Sequence, residues 1–128
     1  MEYLLTIYTD ESAFADATPE QGAALMDAYT AFGEKHAAAI KGGHGLQPTP
    51  AATSVRVRDG ERLVTDGPFA ETKEQLGGYY LFECKDLDEA LNWAAKIPEA
   101  KTGAVEVRPV MDYEALQSQA AGAESAAS

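Results

Sequence analysis

A chain of 128 residues with 45% hydrophobic content is long enough to form one domain with a sizeable core, without a metal or a disulfide. Its 21 acidic and 10 basic residues give a net charge of −11, which disfavours contact with nucleic acid and with anionic membranes. The single cysteine, Cys84, cannot form an intrachain disulfide, and the first apolar run is too short for a signal peptide core or a membrane span. We therefore expect a cytoplasmic protein.

The first third of the chain predicts a strand followed by a long helix. The run YLLTIY, from Tyr3 to Tyr8, has the β-branched, aromatic and aliphatic composition of a strand, and a polar loop follows it. Thr18 and Gln21 have the spacing of a capping box, so a helix should begin at Pro19 and run for about two dozen residues. Its expected stop is Gly42-Gly43. The apolar stripe of this predicted helix comprises Leu25, Met26, Tyr29, Phe32, Ala37 and Ile40.

The rest of the chain predicts a hairpin, a strand, a helix and a last strand. Val55 and Val57 alternate with arginines, and Asp59-Gly60 is a strong turn signal, so TSVRVRDGERLVT predicts a hairpin. The run GGYYLFEC predicts the next strand. Asp86 caps a second helix, which Pro98 ends, and GAVEVRPV alternates as a final strand.

This order of elements predicts an α+β fold, the ferredoxin-like split βαβ sandwich, with an inserted hairpin. Two helices can cover only one face of the sheet, so the open face is expected to form a ligand cleft and to pack against a second copy in a homodimer. The sequence leaves open whether Tyr79, Leu81 and Glu83, or Tyr80, Phe82 and Cys84, line that cleft. The domain is predicted to cover residues 1–112, and residues 113–128 are predicted to be a flexible or weakly helical tail.

The segment VTDGPFAETKEQLGGYYLFECKDLDEALNWAAKIP, followed by GAVEVRPV, resembles the DGPF branch of the YCII-related family. The Asp-Gly-Pro-Phe motif stands at Asp66 to Phe69, and the similarity runs from Tyr3 to about Met111. The resemblance implies a dimeric α/β-barrel with a cleft at the sheet face. It also implies a functional link to sigma factors, and distant relatives include lyases and isomerases of small ring compounds.

Two residues are candidates for catalysis. Asp66 fits an Asx turn, in which its carboxylate binds a backbone amide two residues on, and this reading is favoured over the role of a general base. The resemblance implies a histidine on the first helix that pairs with an aspartate. In this chain that histidine is His36, near the end of the helix, where the helix dipole alone would also favour an imidazolium.

Four residues are candidates for substrate binding. Arg108 could bind a carboxylate through its planar guanidinium, or form a cross-strand ion pair with an acid such as Glu83. Tyr8 and Tyr79 offer phenol groups, and His44 lies in a predicted glycine-rich loop.

No sequence motif for zinc, a dinucleotide or an acyl-serine mechanism is present, so neither a metal nor a cofactor is expected. We therefore expect a small-molecule-binding or regulatory module. The alternative is a cofactor-independent lyase or isomerase that uses acid and base side chains.

Overall fold

A four-stranded antiparallel sheet forms the centre of the chain in the computed structural model, which describes residues 1–70 and 72–119 and gives no side-chain placement for Phe14. The strands are β1 (Glu2–Thr9), β2 (Ile40–Gly45), β5 (Gln75–Glu83) and β6 (Ala104–Pro109), in the spatial order β2-β5-β1-β6. A separate two-stranded arm consists of β3 (Thr53–Arg58) and β4 (Glu61–Asp66). The helices are α1 (Ser12–Ala15), α2 (Pro19–Lys35) and α3 (Leu87–Lys96).

The strand order confirms the ferredoxin-like α+β architecture. The units β1-α2-β2 and β5-α3-β6 interleave, so that β5 and β1 lie side by side in the middle of the sheet. The arm between β2 and β5 is an insertion, as predicted. Its turn has φ of 53° at Asp59 and 78° at Gly60, the two left-handed positions that a tight hairpin needs.

The helices begin where the sequence predicts. Thr18 and Gln21 form both hydrogen bonds of the capping box at the start of α2, at 3.1 and 2.9 Å. Asp86 caps α3 by accepting a hydrogen bond of 2.9 Å from the backbone of Glu89. Each cap satisfies backbone amides that have no partner inside the helix.

The end of α2 corrects the prediction. The helix has 17 residues and stops at Lys35, with His36 as its cap, and Ile40 begins β2 instead of continuing the helix. The glycines expected to stop the helix lie inside this strand. The low strand propensity of these glycines is outweighed because the backbone of β2 pairs antiparallel with β5, with one irregularity between Ile40 and Gly42.

The core lies between the two long helices and one face of the sheet. Strand alternation buries Tyr3, Leu5 and Ile7 of β1 on this face. Tyr3 pairs with Phe82 of β5, and Leu5 pairs with Tyr80. The other face therefore carries Leu4, Thr6, Tyr8, Tyr79, Leu81, Glu106 and Arg108. Of the two sets of β5 residues, Tyr80 and Phe82 therefore face the helices, and Tyr79 and Leu81 lie on the open face.

Residues 113–119 are helical, and Asp112 caps this segment by accepting a hydrogen bond of 3.0 Å from the backbone of Ala115. The remainder of the predicted tail, residues 120–128, lies outside the described residues. Within the described ranges, no helix has the length and apolar character that crossing a membrane requires.

Candidate functional site

A cavity of about 370 Å³ lies between α2 and the sheet, at the edge formed by β2. This volume is within the range of small-molecule sites. Its walls come from α2, from β1, β2 and β5, and from the turn that follows α3. The lining residues are Ile7, Leu25, Met26, Tyr29, Gly43, His44, Gly45, Gly77, Gly78, Tyr79, Tyr80 and Glu99.

Glycines on the helix-covered face create the space. Gly43 pairs with Tyr80, and Gly45 pairs with Gly78, so alternation places all three glycines on the face beneath α2. A β-carbon on Gly43 would lie 2.6 Å from the carbonyl oxygen of Tyr79, whereas one on Gly45 would meet nothing within 4 Å. Gly43 therefore permits close strand approach, and Gly45 leaves the cavity open.

Two polar residues of the lining, Tyr29 and Glu99, form a hydrogen-bonded pair. The hydroxyl of Tyr29 on α2 donates to Oε1 of Glu99 at 2.6 Å, and both side chains are half-buried. Burial, followed by the bond to Glu99, raises the pKa of the Tyr29 phenol well above its ordinary value. Tyr29 is therefore a neutral hydrogen-bond donor, and Glu99 is the acceptor.

The tyrosine rings form an aromatic wall. The rings of Tyr29 and Tyr80 are stacked with their centroids 6.5 Å apart and their planes at 28°. Burial also raises the pKa of Tyr80. Both rings keep a neutral phenol beside an apolar space.

His36, the predicted catalytic histidine, lies in the core. Its ring packs edge-on against Phe32 at 4.9 Å and Trp93 at 4.5 Å, and the residue is 8% exposed. Burial lowers the pKa of this imidazole, and the charges of Lys35 and Lys96 lower it further. Although it caps α2, His36 is therefore not held as an imidazolium by the helix dipole, and it does not line the cavity.

Asp66 ends the exposed arm and does not line the cavity. The expected Asx turn is not formed, because the residue two positions on is Pro68, which has no amide hydrogen to donate. No hydrogen bond among residues 1–70 and 72–119 involves the Asp66 carboxylate. The turn is held instead by the backbone of Gly67, which donates to Ala52 at 2.7 Å, and by the Ser54 hydroxyl, which donates to the Gly67 carbonyl at 2.8 Å. Gly67 has φ of 104°, a conformation that glycine adopts without steric cost, so the chain can turn here without a hydrogen bond from the Asp66 side chain.

The four predicted binding residues share the open face of the sheet. His44 lies in β2, not in a loop, opposite Tyr79, and their rings are 5.9 Å apart. Tyr8 lies further along the same face. Arg108 forms an ion pair of 2.6 Å with Glu106 on its own strand, and Glu83 binds the amino terminus at 2.9 Å instead. The predicted cleft on this face stays a prediction because its second wall would come from another subunit.

Sequence reasoning missed the Tyr29–Glu99 pair. The helical spacing places Tyr29 in an apolar stripe, and Glu99 follows Pro98 in a turn that carries no motif. The sequence does carry a signal for the cavity beside this pair. Glycine recurs in GGHG and GG, and glycines within strands are typical of places where a ligand or another backbone approaches closely.

Comparison with known proteins identifies the family. A model of the YCII-related domain matches residues 1–114. The chain belongs to the YCII-related domain family. An uncharacterised protein of Rhizobium meliloti (strain 1021) is 44% identical to this YCII-related chain over 117 residues, covering 88% of this chain and 94% of the relative.

A solved structure also resembles this YCII-related domain. It is the 5-chloro-2-hydroxyhydroquinone dehydrochlorinase TftG of Burkholderia phenoliruptrix AC1100, in complex with 2,5-dihydroxybenzoquinone. It has 16% sequence identity and a TM-score of 0.47, over 87% of this chain and 94% of that chain.

In the part of the YCII-related domain that the structure describes, no group of three or more His, Cys, Asp or Glu side chains is placed to hold a metal ion.

Proposed function

We propose that this YCII-related protein, of the DGPF branch by its Asp66–Phe69 motif, is a small-molecule-binding module whose ligand occupies the cavity between α2 and the sheet. The observation that carries the proposal is a space of about 370 Å³ whose lining includes the hydrogen-bonded pair of Tyr29 and Glu99. Apolar walls with a few placed polar groups are typical of ligand sites. The site differs in position from the open-face cleft that the sequence suggested.

The experiment is an NMR screen of small aromatic fragments against ¹⁵N-labelled protein. Binding in the cavity should shift the amide signals of Gly43, Gly45 and Gly78, which line it on adjacent strands. Gly45→Val places a side chain where a β-carbon meets nothing within 4 Å, so it should weaken binding by about tenfold or more while the fold is kept. Gly22→Val, at an equally open glycine on the exposed part of α2, is the control. Fragments that bind Gly45→Val as well as the parent would refute this site.

The second candidate function is a cofactor-independent lyase or isomerase, and the Tyr29–Glu99 pair favours it. Glu99 is a carboxylate at the cavity wall, and the Tyr29 hydroxyl holds it in place through a hydrogen bond of 2.6 Å. In this reading Glu99 is the base, and Tyr29 orients its carboxylate. His36 and Asp66 lie outside the cavity lining, so the cavity lends no support to the catalytic roles predicted for them.

Binding and catalysis are separated by following each bound fragment over time by one-dimensional NMR. The enzyme reading expects new product signals with the parent and none with Glu99→Gln, which keeps the acceptor shape but removes the base. Fragments that stay unchanged with both proteins would leave the binding module as the function. A regulatory role, with the sigma-factor link that the family resemblance suggests, stays a prediction within this reading.

The open face of the sheet is proposed to be the interface of a homodimer. Leu4, Tyr8 and Leu81 are half-buried there, next to the Glu106–Arg108 ion pair. The arm adds Val55 and other apolar side chains that are more than half exposed. Apolar surface without a covering helix is typical of an interface between subunits. In such a dimer Tyr8, Tyr79, His44 and Arg108 would line the space between the two sheets.

A further inference from the structure

Glu99 is a carboxylate at a cavity wall, and it has no cationic partner among residues 1–70 and 72–119. Its Oε1 accepts the Tyr29 hydroxyl at 2.6 Å, and no other side-chain hydrogen bond within the described residues reaches its carboxylate. The ion pairs found in that part of the chain join Glu83 to the amino terminus and Glu106 to Arg108, and neither includes Glu99. Oε2 is therefore available to a ligand, and a half-buried anion gains most from a partner of opposite charge.

The walls beside this carboxylate suit a positive charge. Tyr29 and Tyr80 both line the cavity and stack with each other, and neutral phenol rings present electron-rich faces. Met26 adds a polarisable thioether to the same wall. A cation between aromatic faces and a carboxylate is attracted by both.

The same surroundings disfavour an anionic ligand. Neither Lys nor Arg is among the described residues that line the cavity. The side chain of His44, which also appears in the lining, is directed by its strand register toward the open face with Tyr79. The net charge of −11 adds a repulsive field for anions at longer range.

We propose that the ligand of this cavity is a small organic cation, an amine with an apolar or aromatic body, whose ammonium binds Glu99 beside the rings of Tyr29 and Tyr80. The inference rests on the proposed function, since it names the ligand class of the same site. The apolar body lies along Ile7 and Leu25, and the ammonium donates to Oε2 of Glu99 while Tyr29 holds Oε1.

The test compares probes that share a ring and differ in charge: 2-phenylethylamine, 2-phenylethanol and 3-phenylpropanoate, together with their naphthyl analogues. Dissociation constants are measured at pH 7 by NMR titration, using the amide signals of Gly45 and Gly78. The amine should bind about tenfold more tightly than the alcohol, and the carboxylate should bind most weakly.

Glu99→Gln is the decisive variant because it keeps an acceptor for Tyr29 and removes only the charge. It should bring the amine and the alcohol to within about twofold of each other. Glu34→Gln, which removes the same charge from an exposed position of α2, should keep the parental preference. The proposal is overturned if the alcohol or the carboxylate binds most tightly, or if the amine keeps its advantage in Glu99→Gln. If probes of no charge type shift these amides, the binding function itself fails, which is a separate result.

Discussion

Tyr29 and Glu99 are separated by 70 residues in the chain and joined by a hydrogen bond of 2.6 Å. The bond connects the middle of α2 to the turn after α3, and both residues line the cavity. Neither residue lies in a recognisable motif. Their relationship exists only because the two βαβ units interleave.

Replacing Tyr29 with Phe should lower the free energy of unfolding by about 1–2 kcal/mol, because the half-buried Glu99 loses its donor while the aromatic packing is kept. Urea denaturation at neutral pH measures the difference. Tyr113→Phe, at a tyrosine that is 69% exposed, is the matched control and should unfold with the parent. An unchanged unfolding midpoint in Tyr29→Phe would mean that the bond is not formed in solution.

The raised pKa of Tyr29 also predicts an alkaline loss of stability. The unfolded chain ionises this phenol at about pH 10, whereas the folded protein keeps it neutral to higher pH. The stabilisation is complete below the unfolded pKa and is lost as pH rises from there toward the folded pKa. Between about pH 9 and 11 the melting temperature of Tyr29→Phe should fall less steeply with pH than that of the parent. Parallel curves for the two proteins would contradict this.

His36 predicts a loss of stability in mild acid. Burial, Lys35 and Lys96 lower its pKa in the folded state, so the unfolded chain binds the proton more readily. Stability is therefore present above the unfolded pKa of about 6.5 and is lost as pH falls below that value. His36→Phe, which keeps an aromatic ring against Phe32 and Trp93, should flatten the change in unfolding free energy between about pH 7.5 and 5.5. An unchanged slope in His36→Phe would contradict this prediction.

The glycines of β2 should differ sharply in their tolerance of a side chain. Gly43→Ala should cost about 1–3 kcal/mol, because its β-carbon would lie 2.6 Å from a backbone oxygen that cannot move without breaking the sheet. Gly45→Ala should change stability by less than about 0.5 kcal/mol, since a β-carbon there meets nothing within 4 Å. Urea midpoints of the two variants measured together decide the point, and equal midpoints would refute the close packing of β2 on β5.

The arm offers a test of Asp66 against Ser54. Since the Asp66 carboxylate is exposed and makes no hydrogen bond within the described residues, both Asp66→Asn and Asp66→Ala should unfold within about 0.5 kcal/mol of the parent. Ser54→Ala should cost about 1 kcal/mol, because it removes the donor to the Gly67 carbonyl. Chemical denaturation ranks the three variants. A larger loss from Asp66→Ala than from Ser54→Ala would mean that the Asp66 carboxylate, and not the Ser54 hydroxyl, holds this turn.

Local sequence signals were sufficient to place the helix starts and the hairpin of this protein. Thr18 and Gln21 start α2, Asp86 starts α3, and Asp59-Gly60 turns the arm, because each of these signals acts through hydrogen bonds or backbone conformation within a few residues. The alternation of Val105 and Val107 with Glu106 and Arg108 in β6 likewise separated the covered face from the open one.

The strand conformation of β2 and the position of the cavity depend on contacts between distant parts of the chain. Four of the six residues of IKGGHG are glycine or histidine, which gives no strand signal; the segment is extended because β5 supplies the partner for its backbone. The sequence places His36 near the end of α2 but does not show its burial, which depends on packing against Trp93 of α3. The cavity depends on Gly43, Gly45 and Gly78 falling on one face of neighbouring strands beneath α2, and strand register over such distances is set by the packing of the whole sheet.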